Sequence, residues 1–144
     1  MKYPGLIAAL VLGGCGSDAI TGSQRTVASL AGTWIMNRFE LVNAADSTER
    51  DSPLPGISGT LTVTSAGAFT FRIVFPDGGV SIEAGTLSLR GDTLTYDGEG
   101  DEVAFLLVLK ANSMTWRTLE RELFDLNGDG TPEETYLVVA FVRT

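Results

Sequence analysis

A ten-residue segment near the C-terminal end, 125–134, carries a dense set of oxygen-bearing side chains. The first of them occupy alternate positions and are followed by a glycine. The candidate metal ligands in this segment are Asp125, Asn127, Asp129, Thr131, Glu133 and Glu134. Calcium takes about six to eight hard oxygen ligands, and alternate polar residues on a tight turn can supply them. The pattern therefore predicts a candidate Ca²⁺ site.

The spacing Asp-x-Asn-x-Asp-Gly is similar to the opening of an EF-hand-type calcium loop. Gly130 stands at the sixth position, where that loop turns sharply. The twelfth position holds Tyr136 instead of a glutamate, and the flanking residues have strand patterns. Because Asn-Gly and Asp-Gly pairs are also favoured hairpin turns, a plain turn without metal is the alternative. If calcium binds, we expect it to stabilise the last hairpin rather than to catalyse.

The residue inventory excludes the common forms of nucleophilic catalysis. The chain contains no histidine and a single cysteine, Cys15. It therefore lacks the commonest general base, and a Ser-His-Asp or Cys-His mechanism cannot be built. We expect a non-enzymatic protein, and we assign no catalytic residue. One cysteine also rules out a disulfide within the chain.

Cys15 ends a short apolar segment that follows a basic residue. Lys2 supplies the charge, residues 6–12 are apolar, and Gly13 and Gly14 precede the thiol. This order is typical of a secretory signal peptide, and the apolar run is far shorter than the ~20 residues of a membrane-spanning helix. The tetrad Leu12-Gly13-Gly14-Cys15 resembles the bacterial lipobox. That resemblance implies acylation of Cys15 as the first mature residue.

These features predict a signal peptide over 1–14, a flexible polar tether over 15–29 and one domain over 30–144. The chain has 10 basic and 18 acidic residues, and removal of Lys2 with the signal peptide leaves nine against 18. Such an acidic surface repels phosphate backbones and anionic lipids, so we expect no nucleic-acid partner. Membrane attachment then has to come from acyl chains on Cys15. Gly16 directly follows Cys15, so the aspartate that retains bacterial lipoproteins in the inner membrane is absent from that position. The lipoprotein resemblance therefore implies an anchored protein at the periplasmic face of the outer membrane or at the cell surface.

Alternating apolar and polar residues dominate the chain beyond residue 31 and predict strands. The eight predicted strands are 32–42, 57–64, 68–75, 80–89, 93–97, 103–110, 114–124 and 134–143. Short turns rich in Gly, Asp and Pro separate most of them, whereas 43–56 is a longer polar loop, either a lid or a disordered insertion. The sequence thus predicts an all-β fold, an antiparallel up-and-down meander that closes into a barrel.

The segment Leu30-Ala31-Gly32-Thr33-Trp34, at the start of the first strand, resembles the Gly-x-Trp signature of the lipocalin family. The resemblance implies an eight-stranded barrel whose closed end contains Gly32 and Trp34, with Arg143 stacked over the indole. A guanidinium above an indole is a favourable cation–π pair. The resemblance covers 30–144 in architecture and is closest to small bacterial lipocalin-like lipoproteins. The domain departs from larger lipocalins in its short length and in lacking a long helix after the last strand.

A lipocalin-like barrel implies an interior that binds a small apolar ligand. The candidate lining residues are Phe69, Phe71, Ile73, Phe75, Phe105, Leu107 and Leu109. The alternative is a packed structural or interaction module without a ligand. Cavity volume discriminates the two, because a drug-sized ligand needs about 300 Å³ or more.

The first strand poses a problem of alternation. If Trp34 points inward, Met36, Arg38 and Glu40 point inward as well. A buried Arg38–Glu40 pair would be costly unless it meets water or a ligand. The alternative is a β-bulge that shifts the register of this strand.

Overall fold

The computed structural model describes residues 25–144, which form an all-β domain. Within these residues there are ten strands and one turn of 3-10 helix, Val27–Leu30. The strands are β1 Gly32–Asn43, β2 Arg50–Asp51, β3 Ser58–Val63, β4 Ala68–Val74, β5 Val80–Arg90, β6 Thr93–Asp97, β7 Glu102–Leu109, β8 Ser113–Thr118, β9 Glu122–Phe124 and β10 Glu133–Arg143. The predicted signal peptide, Cys15 and most of the predicted tether lie outside the described residues. None of the helical structure in 25–144 is long and apolar enough to cross a bilayer.

Eight of the strands close into an antiparallel barrel. They are hydrogen-bonded in the order β1-β3-β4-β5-β6-β7-β8-β10, and β10 returns to pair with β1. The closing pairing runs from Trp34 opposite Arg143 to Asn43 opposite Thr135. Closure satisfies the backbone groups that an open meander would leave at its two edges. The predicted fold class, an all-β up-and-down meander closed into a barrel, is confirmed.

The two remaining strands extend one end of the barrel. β1 pairs with β3 only as far as Met36, and its far end pairs with β2 at Leu41 and Val42. β9 pairs in the same way with the first residues of β10, Glu133 to Thr135. Beyond the barrel wall, β2, the end of β1, the start of β10 and β9 form a four-stranded extension of the sheet. We call this extension the flap.

The flap changes two of the sequence predictions. The single predicted strand 114–124 is wrong, because the chain bends at 119–121 and divides into β8, in the barrel, and β9, in the flap. The loop 43–56 is not a disordered insertion, because it contains a strand, and its role as a lid stays a prediction. It folds back to form β2, and the Asn43 side chain holds its first turn by accepting the backbone N–H of Ala45 at 2.8 Å.

A β-bulge in β1 explains the alternation in that strand. The β1–β10 register shifts between Met36 and Arg38, so one extra residue is inserted at position 37. Trp34 and Met36 belong to the core, and beyond the bulge the inward position passes to Phe39. The inward placement of Arg38 and Glu40 is therefore wrong, and the bulge is confirmed. The Arg38 Nε lies 2.5 Å from a carboxylate oxygen of Glu40, and the two side chains are 33% and 28% exposed, respectively.

The interior of the barrel is the hydrophobic core, and most of it is filled. The largest fully buried residues are Trp34, Phe141, Leu30, Leu61, Leu87, Leu94, Leu107, Met114 and Thr135. Trp116 links the two halves of this core, with ring centroids 4.8 Å from Phe141 and 5.5 Å from Phe105. Tilted aromatic pairs of this kind contribute about 0.5–1.5 kcal/mol beyond the area that they bury.

Candidate functional site

The closed end of the barrel is built around Trp34. Its indole is fully buried, and its Nε1 donates a hydrogen bond of 2.8 Å to the carbonyl of Leu30. The guanidinium carbon of Arg143 lies 4.2 Å from the centre of the Trp34 ring. Its Nη1 and Nη2 donate to the carbonyls of Ala31 and Ser29 at 2.7 and 3.1 Å. One arginine therefore ties the 3-10 helix, the first strand and the last strand together.

Gly32 makes this arrangement possible. Its φ is +131°, a backbone conformation that glycine adopts without penalty. A Cβ at this position would lie 3.2 Å from Nη1 of Arg143, inside the space that the guanidinium uses. The structure thus brings Gly32, Trp34 and Arg143, the three residues of the lipocalin resemblance, to one end of the barrel.

An apolar cavity of about 160 Å³ lies farther along the barrel. Phe39, in its wall, is five residues beyond Trp34 on β1, which corresponds to about 16 Å along a strand. The wall consists of Phe39, Phe71, Glu83, Tyr96, Val103, Phe105, Trp116, Leu137 and Val139. Five of these nine residues are aromatic, and none is basic. The volume is about half that of a drug-sized site but similar to that of an apolar cavity known to bind benzene.

The predicted lining residues fall into three groups. Phe71 and Phe105 lie in the cavity wall. The other interior residues of the set are packed in or against the core: Phe69, Ile73, Leu107 and Leu109. Phe75 lies beyond the end of β4, and its backbone N–H donates to the Gly79 carbonyl at 2.8 Å in the following turn. Phe75 is therefore a turn residue and does not line the cavity.

Sequence reasoning missed several wall residues, and two of them carried a usable signal. Leu87 and Leu89 mark the inward face of β5, and the same parity extended backward places Glu83 on that face. Tyr96 shares a face with Leu94 in β6. Phe39 gave no such signal, because its inward direction depends on the bulge.

Glu83 and Tyr96 bring polar groups to the cavity wall. The Tyr96 hydroxyl donates a short hydrogen bond to the Glu83 carboxylate. Burial, followed by this hydrogen bond, raises the pKa of Tyr96, so the phenol stays protonated and continues to donate. Trp116 also lines the cavity, but its Nε1 is buried away from solvent and has no hydrogen-bond partner among the described residues. Leaving such a donor unsatisfied costs about 1–3 kcal/mol.

An acidic groove of about 360 Å³ adjoins the cavity. β7 and β8 are paired only as far as Phe105 opposite Thr118, and beyond that point the chain leaves β8 for the flap. One backbone hydrogen bond, from the Leu119 N–H to the Ala104 carbonyl at 3.4 Å, continues past this pair, and the strand pairing of β7 with β8 ends there. The acidic groove is lined by Glu102, Val103, Ala104, Thr118, Leu119, Glu120 and Glu122. Val103 lines both the groove and the cavity, so the two are neighbours.

The predicted calcium ligands lie in the connection from β9 to β10. Carboxylate oxygens of Asp125, Asp129 and Glu133 lie within 4.8 Å of one another. Glu134 is held apart, because its carboxylate pairs with Nη1 of Arg121 at 2.6 Å. The structure therefore brings three of the predicted carboxylates together and directs the fourth elsewhere.

Hydrogen bonds within this acidic loop account for its shape without a metal. The Asp125 carboxylate accepts the backbone N–H groups of Gly128 and Gly130 at 2.7 and 2.8 Å. The Asn127 side-chain oxygen accepts from the backbone of Asp129, and Asp129 in turn accepts from that of Thr131. Such Asx turns are self-sufficient. The convergence of carboxylates fits calcium, whereas the hydrogen bonding fits the plain turn equally well.

Calcium binding stays a prediction with a direct test. If Ca²⁺ binds only the folded state, millimolar Ca²⁺ raises the thermal midpoint by mass action, and Asp129→Ala abolishes the gain. Magnesium substitutes poorly, because it demands a smaller octahedral site. Thermal unfolding in Ca²⁺, Mg²⁺ and chelator measures both effects. Asp101→Ala, at an exposed position in another acidic turn, is the control that keeps the gain. Identical wild-type midpoints in Ca²⁺ and chelator would leave only the plain turn.

Comparison with known proteins gives matches among solved structures. Lobster apocrustacyanin A1 matches with a TM-score of 0.42 and 17% identity, over 81% of this chain and 61% of that one. Apocrustacyanins C2 and C1 match over the same shares, each with a TM-score of 0.43 and 17% identity. The chain therefore spans 61% of the length of these proteins, and the likeness concerns the fold alone. No protein-family model and no curated protein sequence matches the chain.

Proposed function

We propose that the barrel is a non-enzymatic, lipocalin-like binding module for a small, largely apolar ligand. The observation that carries this proposal is the aromatic-walled cavity of about 160 Å³, with the hydrogen-bonded Glu83 and Tyr96 in its wall. Binding sites are mostly apolar and contain a few placed polar groups, which is the composition found here. The volume limits the ligand to about one ring with a short substituent.

Titration with benzene tests the proposal directly. We expect saturable binding by calorimetry, and loss of that binding in Val103→Phe, which adds a ring at the rim of the cavity. Val103 is 37% exposed, so the larger side chain has room to be accommodated. The matched control is Val108→Phe, a change of the same kind on the outer face of the same strand, where 48% of Val108 is exposed. Absence of binding, or equal binding by all three proteins, would contradict the proposal.

A packed module without a ligand is the second candidate. The observation in its favour is that the core fills most of the barrel interior and leaves a cavity of only about 160 Å³. On this hypothesis the cavity is a packing void. Val103→Phe then raises stability by improving the packing, and benzene binds no variant.

We also propose that acyl chains on Cys15 anchor the protein, on the periplasmic face of the outer membrane or at the cell surface. The support is the order of Lys2, an apolar run, two glycines and Cys15 in the sequence. More than one acyl chain is needed for stable anchoring, and a lipidated N-terminal cysteine supplies them. We expect Cys15→Ser to move the protein out of the membrane fraction while leaving the domain folded. Ser17→Ala is the control that stays membrane-bound. Cys15→Ser protein that still sediments with membranes would contradict the anchor.

A further inference from the structure

We infer that the ligand of this cavity is a small hydrophobic ammonium ion, an amine attached to a single ring or short apolar group. The inference rests on the proposed binding function and narrows its ligand class. It arises from one juxtaposition, a carboxylate set in an aromatic wall next to an acidic groove.

Among the described residues, Glu83 is the only acidic one in the cavity wall. In residues 25–144 the ion pairs are Arg25–Asp92, Arg38–Glu40 and Arg121–Glu134, so Glu83 has no basic partner there. Its one side-chain hydrogen bond in that part of the chain comes from the neutral hydroxyl of Tyr96. Opposite charges attract more strongly at the edge of an apolar cavity than in bulk water, and this carboxylate lacks a counter-charge among the described residues. A ligand cation in the cavity would supply that charge.

The aromatic rings around the cavity suit a cation as well. Trp116 is a neighbour of both Tyr96 and Phe105, with its ring centroid 6.2 Å from that of Tyr96 and 5.5 Å from that of Phe105. Phe39 and Phe71 complete the wall. The face of an aromatic ring attracts an ammonium group within about 6 Å, and the attraction increases as water is excluded. Aromatic rings that surround one carboxylate therefore favour a cation over a neutral group of the same shape.

The approach to the cavity has the same charge preference. Glu102, Glu120 and Glu122 line the acidic groove, and no lysine or arginine from residues 25–144 lines it. The chain as a whole carries a net charge of -8. A depression lined by one sign of charge concentrates ions of the opposite sign and accelerates their binding. The acidic groove would concentrate ammonium ions next to Val103, at the rim of the cavity, and would repel carboxylates.

A pair of isosteric probes tests the inference. Benzylammonium and benzyl alcohol fill nearly the same volume and differ in charge. We expect the wild-type protein to bind benzylammonium about tenfold more tightly, a ratio typical of a desolvated cation–π site. In Glu83→Gln the ratio should fall to about one while benzyl alcohol binding is retained. The matched control is Glu99→Gln, which removes the same charge from an exposed turn outside the cavity and the groove and should keep the ratio.

Tyr96→Phe provides a second measurement, which also serves if Glu83→Gln fails to fold. This variant keeps the carboxylate and removes its hydrogen-bond donor, so benzylammonium should bind at least as tightly as to wild type. Benzyl alcohol that binds as tightly as benzylammonium, or a ratio that survives Glu83→Gln, would overturn the inference and leave the proposed function intact. A ratio near one in Tyr96→Phe would also overturn it. Failure of benzene and both of these probes to bind would refute the proposed function itself.

Discussion

Trp34→Ala is expected to lower the free energy of unfolding by about 3–5 kcal/mol, a large share of what a domain of this size possesses. The indole is fully buried and is held from both sides, by its bond to Leu30 and by the guanidinium of Arg143. Truncation removes the ring and also leaves the guanidinium above a void. Chemical denaturation of wild type and variant measures the loss. Trp34→Phe is the matched variant, which keeps an aromatic ring and should recover part of it.

The contribution of Arg143 can be separated with a double-mutant cycle. Arg143→Ala alone removes the cation–π contact and two hydrogen bonds to the carbonyls of Ala31 and Ser29. Combined with Trp34→Ala, it should show a coupling energy of about 0.5–2 kcal/mol, the range for cation–π pairs. Additive losses, or a Trp34→Ala variant with an unchanged denaturation midpoint, would show that this end of the barrel does not depend on the pair.

The class of fold could be predicted from the sequence because a strand with one face in the core shows an alternation of apolar and polar residues along its own length. Phe69, Phe71 and Ile73 alternate with polar residues, and β4 alternates in the same way between buried and exposed positions. The bulge in β1 follows from the sequence only as one of two alternatives, because the charged Arg38 and Glu40 at inward positions indicate a conflict but not its solution. It is defined by the register against β10, a strand about 100 residues away, and only the completed barrel fixes that register. The same reason explains why the sequence predicts a single strand over 114–124, since β9 is defined by its pairing with β10.

The site was predictable to a smaller degree than the fold. Trp34 and Arg143 were found through a family resemblance, because their pairing spans nearly the whole domain and no local pattern reports it. Phe71 and Phe105 were found by alternation, but alternation does not distinguish a packed interior position from a cavity wall. Glu83 was missed because a charged residue in a strand suggests the outer face. A polar residue that keeps the parity of an inward face is the kind of exception that marks a functional position.

Gly85→Ala is the second change with a large expected effect. Gly85 lies in β5 opposite Phe69, at the point where the end of β6 crosses close to it. A Cβ there would lie 2.0 Å from the carbonyl oxygen of Asp97 and 2.9 Å from the Cα of Gly98. Both are backbone atoms, so no change of side-chain rotamer relieves the clash. The β5–β6 pairing would have to shift at Thr86 opposite Asp97.

We expect Gly85→Ala to cost at least the upper part of the range of about 1–3 kcal/mol for overpacking a core. The control is Gly78→Ala, where nothing lies within 4 Å of the added Cβ and only the φ of +87° is unfavourable. That control should lose about 1–2 kcal/mol. Comparing the stability losses of the two variants distinguishes a steric clash from backbone strain, because the φ of Gly85 is not in the left-handed region.

The same substitution links the barrel wall to the cavity. Glu83 lies two residues before Gly85 on β5, and Tyr96 directly precedes Asp97 on β6, so a shift of this pairing pulls the two partners of the short hydrogen bond apart. We therefore expect Gly85→Ala to weaken benzene binding as well as stability, while Gly78→Ala leaves binding unchanged. Denaturation and calorimetry on the same preparations measure the two effects together. A Gly85→Ala protein as stable as the Gly78→Ala control would show that the backbone at the end of β6 can move away from β5 at little cost. The close packing of β5 against β6 would then not be what positions Glu83 and Tyr96 in the cavity wall.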